Sequence, residues 1–116
     1  MAEKGSRNCR CETALEIATM DVTRDALNAA LAELGASGSA DSIGQRLFRE
    51  GCRGEAVEAC RCPIAAWLRR RFPQARNIEV YPNVIIIDGV LSASPPQAVA
   101  DFTRRFDRGA YKCLAA

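Results

Sequence analysis

The sequence predicts an α+β fold in which three helices come first, followed by a three-stranded antiparallel meander and a closing helix. Three observations carry this prediction. Apolar residues recur at helical spacing in residues 21–51 and again in residues 63–73. Three short extended runs then lie between residues 77 and 94, separated by two turn signals. Residues 95–108, which begin with two prolines, return to helical spacing.

The first two helices are predicted within residues 21–51, on either side of the Gly/Ser-rich linker "GASGSA". Asp21 or Thr23 can cap the first helix, and Gly35 can end it. Ser39, Asp41 or Ser42 can cap the second helix, and Gly51 can end it. Two helices joined by such a turn form either an αα-hairpin packed on a core or a DNA-reading helix-turn-helix, and the first is the commoner arrangement. The predicted apolar side of the second helix comprises Ile43, Leu47 and Phe48.

The third helix is predicted from the stretch "CRCPIAAWLRRRFP". Pro63 suits the first helical position because it has no amide hydrogen to donate, and Cys62 then occupies the N-cap. Trp67 and Leu68 are predicted to be buried. Three arginines fall in the last turn, where positive charge complements the helix dipole.

Turn signals divide the extended region into three strands. They are Pro82-Asn83 and Asp88-Gly89. Ser94 is the predicted cap of the last helix. The apolar side of that helix is predicted to comprise Val99, Phe102 and Phe106.

Length and composition fit a single globular domain. The chain has 116 residues, a net charge of +2, 48% hydrophobic and 26% charged residues. We predict a compact domain over residues 21–116, preceded by a cysteine-containing arm at residues 1–20. No apolar run approaches the roughly 20 residues that cross a bilayer, and the first residues are polar, so we expect no membrane contact and a cytoplasmic location.

Six cysteines are the sharpest feature of the sequence, because the tripeptide "CRC" occurs twice. Two such pairs could supply a four-cysteine zinc site. The one-residue gap within each pair argues against zinc, since structural zinc pairs are usually two to four residues apart. The alternative is that the thiols are small buried hydrophobes, which we favour for Cys52 and Cys113. The candidate zinc ligands are Cys9, Cys11, Cys60 and Cys62.

Catalytic chemistry has few candidates. The chain has no histidine, which excludes Ser-His-Asp and Cys-His systems. Cys62 at a helix N-terminus beside Arg61 has surroundings that lower a thiol pKa, so a thiol redox function is one hypothesis. It predicts that Cys62→Ser abolishes activity but keeps the fold. Glu55 and Glu58 form the one candidate acid/base pair.

Arginine dominates the basic residues of the second half. Residues 1–58 carry seven Lys/Arg against ten Asp/Glu, whereas residues 59–116 carry nine against four. These arginines could form a phosphate-binding surface, although a GC-rich genome alone produces such a bias, and neighbouring arginines on a helix point in different directions. The candidate nucleic-acid-binding residues are Arg69, Arg70, Arg71, Arg76, Arg104, Arg105 and Arg108.

Several segments together resemble a family of small proteins from actinobacteria and their phages. The segments are "FREGCRG", "CPIAAWLRRRF" and "PPQAVADFTRRFDRGAYKCL", and the resemblance extends over about residues 21–114. The resemblance implies a Cys-Pro-led helix, a short β region and a closing helix that ends in Phe-Asp-x-Gly-x-Tyr. It implies no activity. Cys52 departs from the family, where Ile or Val is expected.

Three functions are compatible with the sequence. The first is a non-enzymatic module that binds another protein and acts as a phage or accessory regulator. The second is an arginine-rich nucleic-acid-binding protein, with or without a zinc site that stabilises it, whose binding weakens steeply with salt. The third is the thiol redox protein.

Overall fold

A computed structural model describes residues 22–115, within which four α-helices and a three-stranded sheet confirm the predicted α+β fold. The sheet has the order β1-β2-β3 and both pairings are antiparallel, so the meander is confirmed as well. The elements are α1 (Arg24–Gly35), α2 (Ala40–Arg49), α3 (Pro63–Arg71), β1 (Ile78–Val80), β2 (Ile85–Ile87), β3 (Leu91–Ala93), α4 (Gln97–Asp107) and a three-residue 3₁₀ helix (Lys112–Leu114).

Capping residues account for where α1 and α2 begin, and a glycine accounts for where α2 ends. Thr23 and Ser39 each accept a hydrogen bond from the backbone N–H three residues later, at 3.1 Å, as N-caps do. After α2, Gly51 adopts a left-handed φ of 73°. The Cys52 N–H then donates to the Leu47 carbonyl at 2.9 Å, which closes a Schellman motif and turns Cys52 into the core.

Helix α4 differs from the prediction at its start. Its N-cap is Pro96, which makes no side-chain hydrogen bond, so the predicted Ser94 cap is wrong. Steric contact with a proline ring disfavours helical conformation in the residue before it. Because Pro95 precedes Pro96, the helix begins only at Gln97.

One face of the sheet is buried against helices. Ile78, Val80, Ile85 and Ile87 alternate with partly exposed residues along β1 and β2, as strands with one covered face do. Helix α3 packs against β1, α1 packs against β3, and α2 packs beside α4. Trp67 and Phe102 are the largest fully buried side chains.

The sequence predicts an N-terminal arm and one compact domain. The arm predicted at residues 1–20 lies outside the described residues, and the single domain over residues 21–116 stays a prediction. Within residues 22–115, none of the helices has the length and apolar character needed to cross a bilayer.

Candidate functional site

Two arginines that share one carboxylate both lie over the ring of Trp67. The guanidinium carbon of Arg71 is 4.4 Å from the centre of the Trp67 ring, and that of Arg46 is 5.5 Å away. Arg71 donates to both carboxylate oxygens of Glu33, at 2.7 and 2.5 Å, and Arg46 donates to one, at 2.5 Å. These hydrogen bonds lower the pKa of Glu33. We call these four residues the Trp67 clamp, and it connects α1, α2 and α3.

The other arginines at the end of α3 do not share this contact. Arg70 donates to the carbonyl oxygens of Glu50 and Gly51, at 2.5 and 3.4 Å, just after α2. Arg71 points instead to Glu33, so the two neighbours diverge as predicted. Arg69 is exposed, and no carboxylate of residues 22–115 lies within ion-pair distance of it.

The arginines predicted on α4 lie at the other end of α2. Arg105 is 3.6 Å from Asp41 in the first turn of α2, whereas Arg70 is bound just beyond the last turn. A helix of ten residues is about 15 Å long, so the structure does not bring these two arginines together. Arg104 is 3.5 Å from Asp101 on its own helix.

Arg76 and Arg108 are exposed, and the described part of the chain gives neither an ion pair. Arg76 lines a shallow depression with Asn77, Asp88 and Gly89. The Asp88 carboxylate there accepts the backbone N–H groups of Arg76 and Asn77, at 2.7 and 2.8 Å. These two hydrogen bonds hold the backbone just before β1, which gives Asp88 a structural role in the depression.

Cys62 is buried and acts as the N-cap of α3, where its sulfur accepts the Ala65 N–H at 3.4 Å. Burial raises the pKa of Cys62 to about 11. The expected lowering of this pKa is therefore wrong. Burial disfavours the thiolate form of Cys62. This effect is larger than the opposite effect of the N-terminal backbone of α3 and of the nearby Arg69.

The other described cysteines have three different environments. Cys52 is fully buried, as predicted, and burial raises the pKa of its thiol. Cys113 is exposed, so its predicted burial is wrong; the residue that faces the core from its 3₁₀ helix is Leu114. Cys60 is half-buried. All four are free thiols.

A zinc site remains a prediction. Two of its four candidate ligands, Cys9 and Cys11, lie outside the described residues. Among residues 22–115, no three side chains of the types His, Cys, Asp and Glu are grouped as metal ligands would be. Of the remaining pair, Cys60 is partly accessible and Cys62 is buried with a raised pKa, which opposes the thiolate form that binds zinc.

The loop of residues 54–62, here called the Val57 loop, displays an apolar side chain on a strained backbone. Val57 has a φ of 64°, a conformation that is a genuine outlier for a β-branched residue. Its side chain is nevertheless 74% exposed. Its N–H donates to the Asp107 carboxylate of α4 at 2.9 Å, so this conformation is held by a contact from outside the loop.

Backbone hydrogen bonds close the Val57 loop at both ends. The Glu55 N–H donates to the Arg61 carbonyl at 2.8 Å, and the Arg61 N–H donates to the Glu58 carbonyl at 2.9 Å. A Cβ atom on Gly54 would lie 2.0 Å from the Arg61 oxygen, so glycine permits this close approach. Both candidate acid/base residues, Glu55 and Glu58, are exposed, and Glu55 is 3.8 Å from the Arg61 guanidinium.

Val57 and Phe48 are among the exposed large apolar side chains of the described residues, and sequence reasoning missed the exposure of both. The burial of Phe48 is a wrong prediction, because its side chain is 50% exposed. The buried stripe of α2 runs through Ala40, Ile43 and Leu47, and Phe48 lies at its margin. The signal available for Val57 was a single large apolar residue between two glutamates in a loop.

Comparison of the chain with protein-family models, with curated proteins and with solved structures gives no match. The resemblance to small actinobacterial and phage proteins therefore stays a prediction.

Proposed function

We propose that this protein is a non-enzymatic module that binds another protein through the Val57 loop. The observation that carries the proposal is the strained and exposed conformation of Val57. Left-handed backbone costs an L-residue roughly 1–2 kcal/mol, and an exposed valine recovers none of this by burial. Strained residues that the surrounding structure holds in place are concentrated at binding and switch sites.

The hydrogen bonds of the loop support a preorganised contact. The loop is closed by backbone bonds between Glu55, Glu58 and Arg61, and Asp107 holds the amide of Val57. A loop ordered before binding loses little conformational entropy in the complex. Val57 is then an apolar anchor whose burial in a partner's pocket favours association.

The charges around Val57 indicate what kind of pocket fits. Glu55 and Glu58 flank the valine and both are exposed. Arg61 lies 3.8 Å from Glu55 but no described ion pair involves Glu58. We therefore propose a partner with an apolar pocket bordered by Lys or Arg, since complementary charge speeds encounter and selects the partner.

Location and origin belong to the same proposal. Four free thiols support a reducing compartment such as the cytoplasm. The resemblance to actinobacterial and phage proteins supports an actinobacterial or phage origin.

The two other functions have weaker support. For nucleic-acid binding by the predicted arginines, Arg71 is paired with the Glu33 carboxylate, and Arg70 and Arg105 lie at opposite ends of α2. For thiol redox chemistry, Cys62 is buried with a raised pKa. A zinc-stabilised form depends on Cys9 and Cys11.

The test uses a photo-crosslinking amino acid at position 57, with position 90 as the matched control. Val90 is also a valine in a loop and is 86% exposed. A partner that crosslinks from position 57 and not from position 90 is purified, and its affinity is measured with Val57→Asp and Val90→Asp. We expect Val57→Asp to weaken binding at least about 10-fold, as loss of an anchor residue does, and Val90→Asp to leave it unchanged. Equal affinity of the two variants, or crosslinking from position 90 alone, contradicts the proposal.

A further inference from the structure

Phe48 and three arginines form a second exposed surface at the end of α2, here called the Phe48 patch (Phe48, Arg49, Arg53 and Arg70). The chain reverses at Gly51, whose left-handed backbone ends the helix. This reversal carries Arg53 back to Phe48, and the Arg53 guanidinium carbon lies 5.9 Å from the centre of the Phe48 ring. The ring is half exposed, so part of its surface remains open beside a cation.

Arg70 adds charge that no carboxylate of the patch compensates. It reaches from α3 to the carbonyl oxygens of Glu50 and Gly51, which are neutral acceptors. Glu50 is the acidic residue nearest in sequence, and its carboxylate is bound to Arg46 at 2.8 Å. Arg49 and Arg53 are exposed, and no described ion pair involves either of them.

Adjoining charges do not cancel this excess. The nearby Trp67 clamp adds Arg46 and Arg71, and its acid is Glu33. Together, five arginines then face two glutamates, which leaves about three positive charges at this end of α2.

We infer that the Phe48 patch binds single-stranded nucleic acid. One base would stack on the open face of Phe48 beside Arg53, while Arg49 and Arg70 contact phosphates. Proteins that bind single strands combine aromatic platforms with arginines in this way. The Asp and Glu side chains of an acidic peptide could satisfy the charges but have no ring that stacks on Phe48, whereas every base has one.

This site goes beyond the proposed function and differs from the surface that the sequence predicts. Of the seven predicted arginines, it uses Arg70 alone. Phe48, Arg49 and Arg53 come from the acidic half of the sequence, where the charge count gave no sign of them.

The experiment measures binding of the full chain to fluorescent 12-nucleotide oligo(dT) and oligo(U) by fluorescence anisotropy. Phe48→Ala removes the stacking surface, Phe48→Tyr retains it, and Arg53→Gln removes the cation on the ring. Arg108→Gln is the matched control because it removes an exposed arginine just after α4, the helix whose Arg105 lies at the opposite end of α2 from Phe48. Circular dichroism and thermal unfolding confirm that each variant is folded.

We expect Phe48→Ala to weaken binding at least about fivefold, the lower limit for one lost base stack. Phe48→Tyr and Arg108→Gln should bind like the original protein. With two phosphate contacts, from Arg49 and Arg70, raising salt from about 50 to 200 mM should weaken binding roughly sevenfold. Preference for either oligo(dT) or oligo(U) supports the inference and identifies the sugar that is recognised.

Three results overturn the inference. They are the absence of binding at low salt, equal affinities for Phe48→Ala and the original protein, and displacement of the oligonucleotide by polyglutamate as readily as by unlabelled oligonucleotide. The last result identifies an acidic protein surface as the ligand instead. Because none of these variants alters the Val57 loop, their failure leaves the proposed function intact.

Discussion

The Arg71 guanidinium lies over the ring of Trp67, one helical turn earlier on α3, with 4.4 Å between the guanidinium carbon and the ring centre. The same guanidinium makes a two-pronged contact with Glu33 on α1. Arg71 therefore covers a core tryptophan and links α3 to α1 through a contact between residues 38 apart in sequence. Lysine could provide the charge but neither the planar stacking surface nor the paired donors.

The first prediction concerns the carboxylate of the Trp67 clamp. Glu33→Gln should lower the free energy of unfolding by about 1 kcal/mol, because two guanidinium partners lose their shared charge at a partly exposed site. Arg71→Lys should lower it similarly. Urea denaturation measures both. Glu55→Gln is the control, since its 3.8 Å contact with Arg61 is solvent-exposed at both ends and should change stability by less than about 0.5 kcal/mol.

Acid titration gives this prediction a second readout. The arginines lower the pKa of Glu33 from its ordinary value of 4.5. A carboxyl whose pKa is lower in the folded protein contributes stability above its unfolded pKa, and that contribution is lost as pH falls through the folded pKa. Glu33→Gln should therefore lose less stability below pH 4.5 than the original protein. Parallel acid curves for the two proteins would contradict the role given to Glu33.

The second prediction concerns Gly54 at the base of the Val57 loop. Gly54→Ala should destabilise the protein by about 3 kcal/mol, because the new Cβ would lie 2.0 Å from the Arg61 carbonyl oxygen and 2.7 Å from the Cys62 Cα. Both are backbone atoms that cannot move without the loop. Chemical denaturation measures the loss.

Gly38→Ala is the comparison for Gly54→Ala. Gly38 has a φ of 100° and no atom within 4 Å of its added Cβ. Its substitution should cost only the strain of left-handed backbone, about 1 kcal/mol. Equal losses at the two glycines would show that the approach of Gly54 to Arg61 is not the constraint.

Local signals in the sequence were sufficient to predict most of the secondary structure. Thr23, Ser39 and Cys62 cap helices because cap bonds join residues three apart, and Gly51 ends α2 because it accepts a left-handed φ. The turn residues Pro82-Asn83 and Asp88-Gly89 were sufficient to predict the three-stranded meander. The displaced start of α4 shows the effect of Pro95 and Pro96 outweighing that of a good capping residue.

The candidate sites could not be predicted in the same way, because they depend on contacts between distant segments. The ring of Trp67 and the charge of Glu33 become related only when α1, α2 and α3 assemble. The conformation of Val57 depends on Asp107, 50 residues away, and glycine or asparagine would be the usual signal for its φ. The charge imbalance between the two halves pointed to arginines such as Arg71 that are engaged within the protein.

The third prediction uses the strain at Val57. Val57→Gly should raise the free energy of unfolding by about 0.5–1 kcal/mol, because glycine relieves the left-handed strain and the exposed valine contributes little packing. The same variant should lose partner binding. Higher stability with lower affinity is the pattern expected of a residue retained for function.

Val90→Gly supplies the matched comparison for Val57→Gly. Val90 is exposed, but its φ is not positive. Glycine there should lower stability by about 0.5 kcal/mol through the entropy of the unfolded chain. The same substitution thus has opposite signs at the two positions. Loss of stability in both variants would mean that Val57 is not strained.

The fourth prediction concerns the thiols. In a timed alkylation at pH 8 followed by peptide mass spectrometry, Cys113 should react first among the four described cysteines, and Cys52 and Cys62 only as the fold opens. Burial raises the pKa of Cys62 to about 11 from an ordinary value of 9.0. The folded protein therefore holds this proton over a range in which the unfolded chain releases it, so stability should fall as pH rises from 9 to 11, by about 2–3 kcal/mol.

Cys62→Ser tests whether Cys62 causes that alkaline loss. Serine keeps an N-cap acceptor for the Ala65 N–H and does not ionise in this range, so the variant should remain folded with a flatter stability curve between pH 9 and 11. Cys113→Ser should leave the curve unchanged, because Cys113 is exposed. If Cys62 is instead alkylated as fast as Cys113, its thiol is accessible, and the thiol redox hypothesis regains the reactive cysteine that it requires.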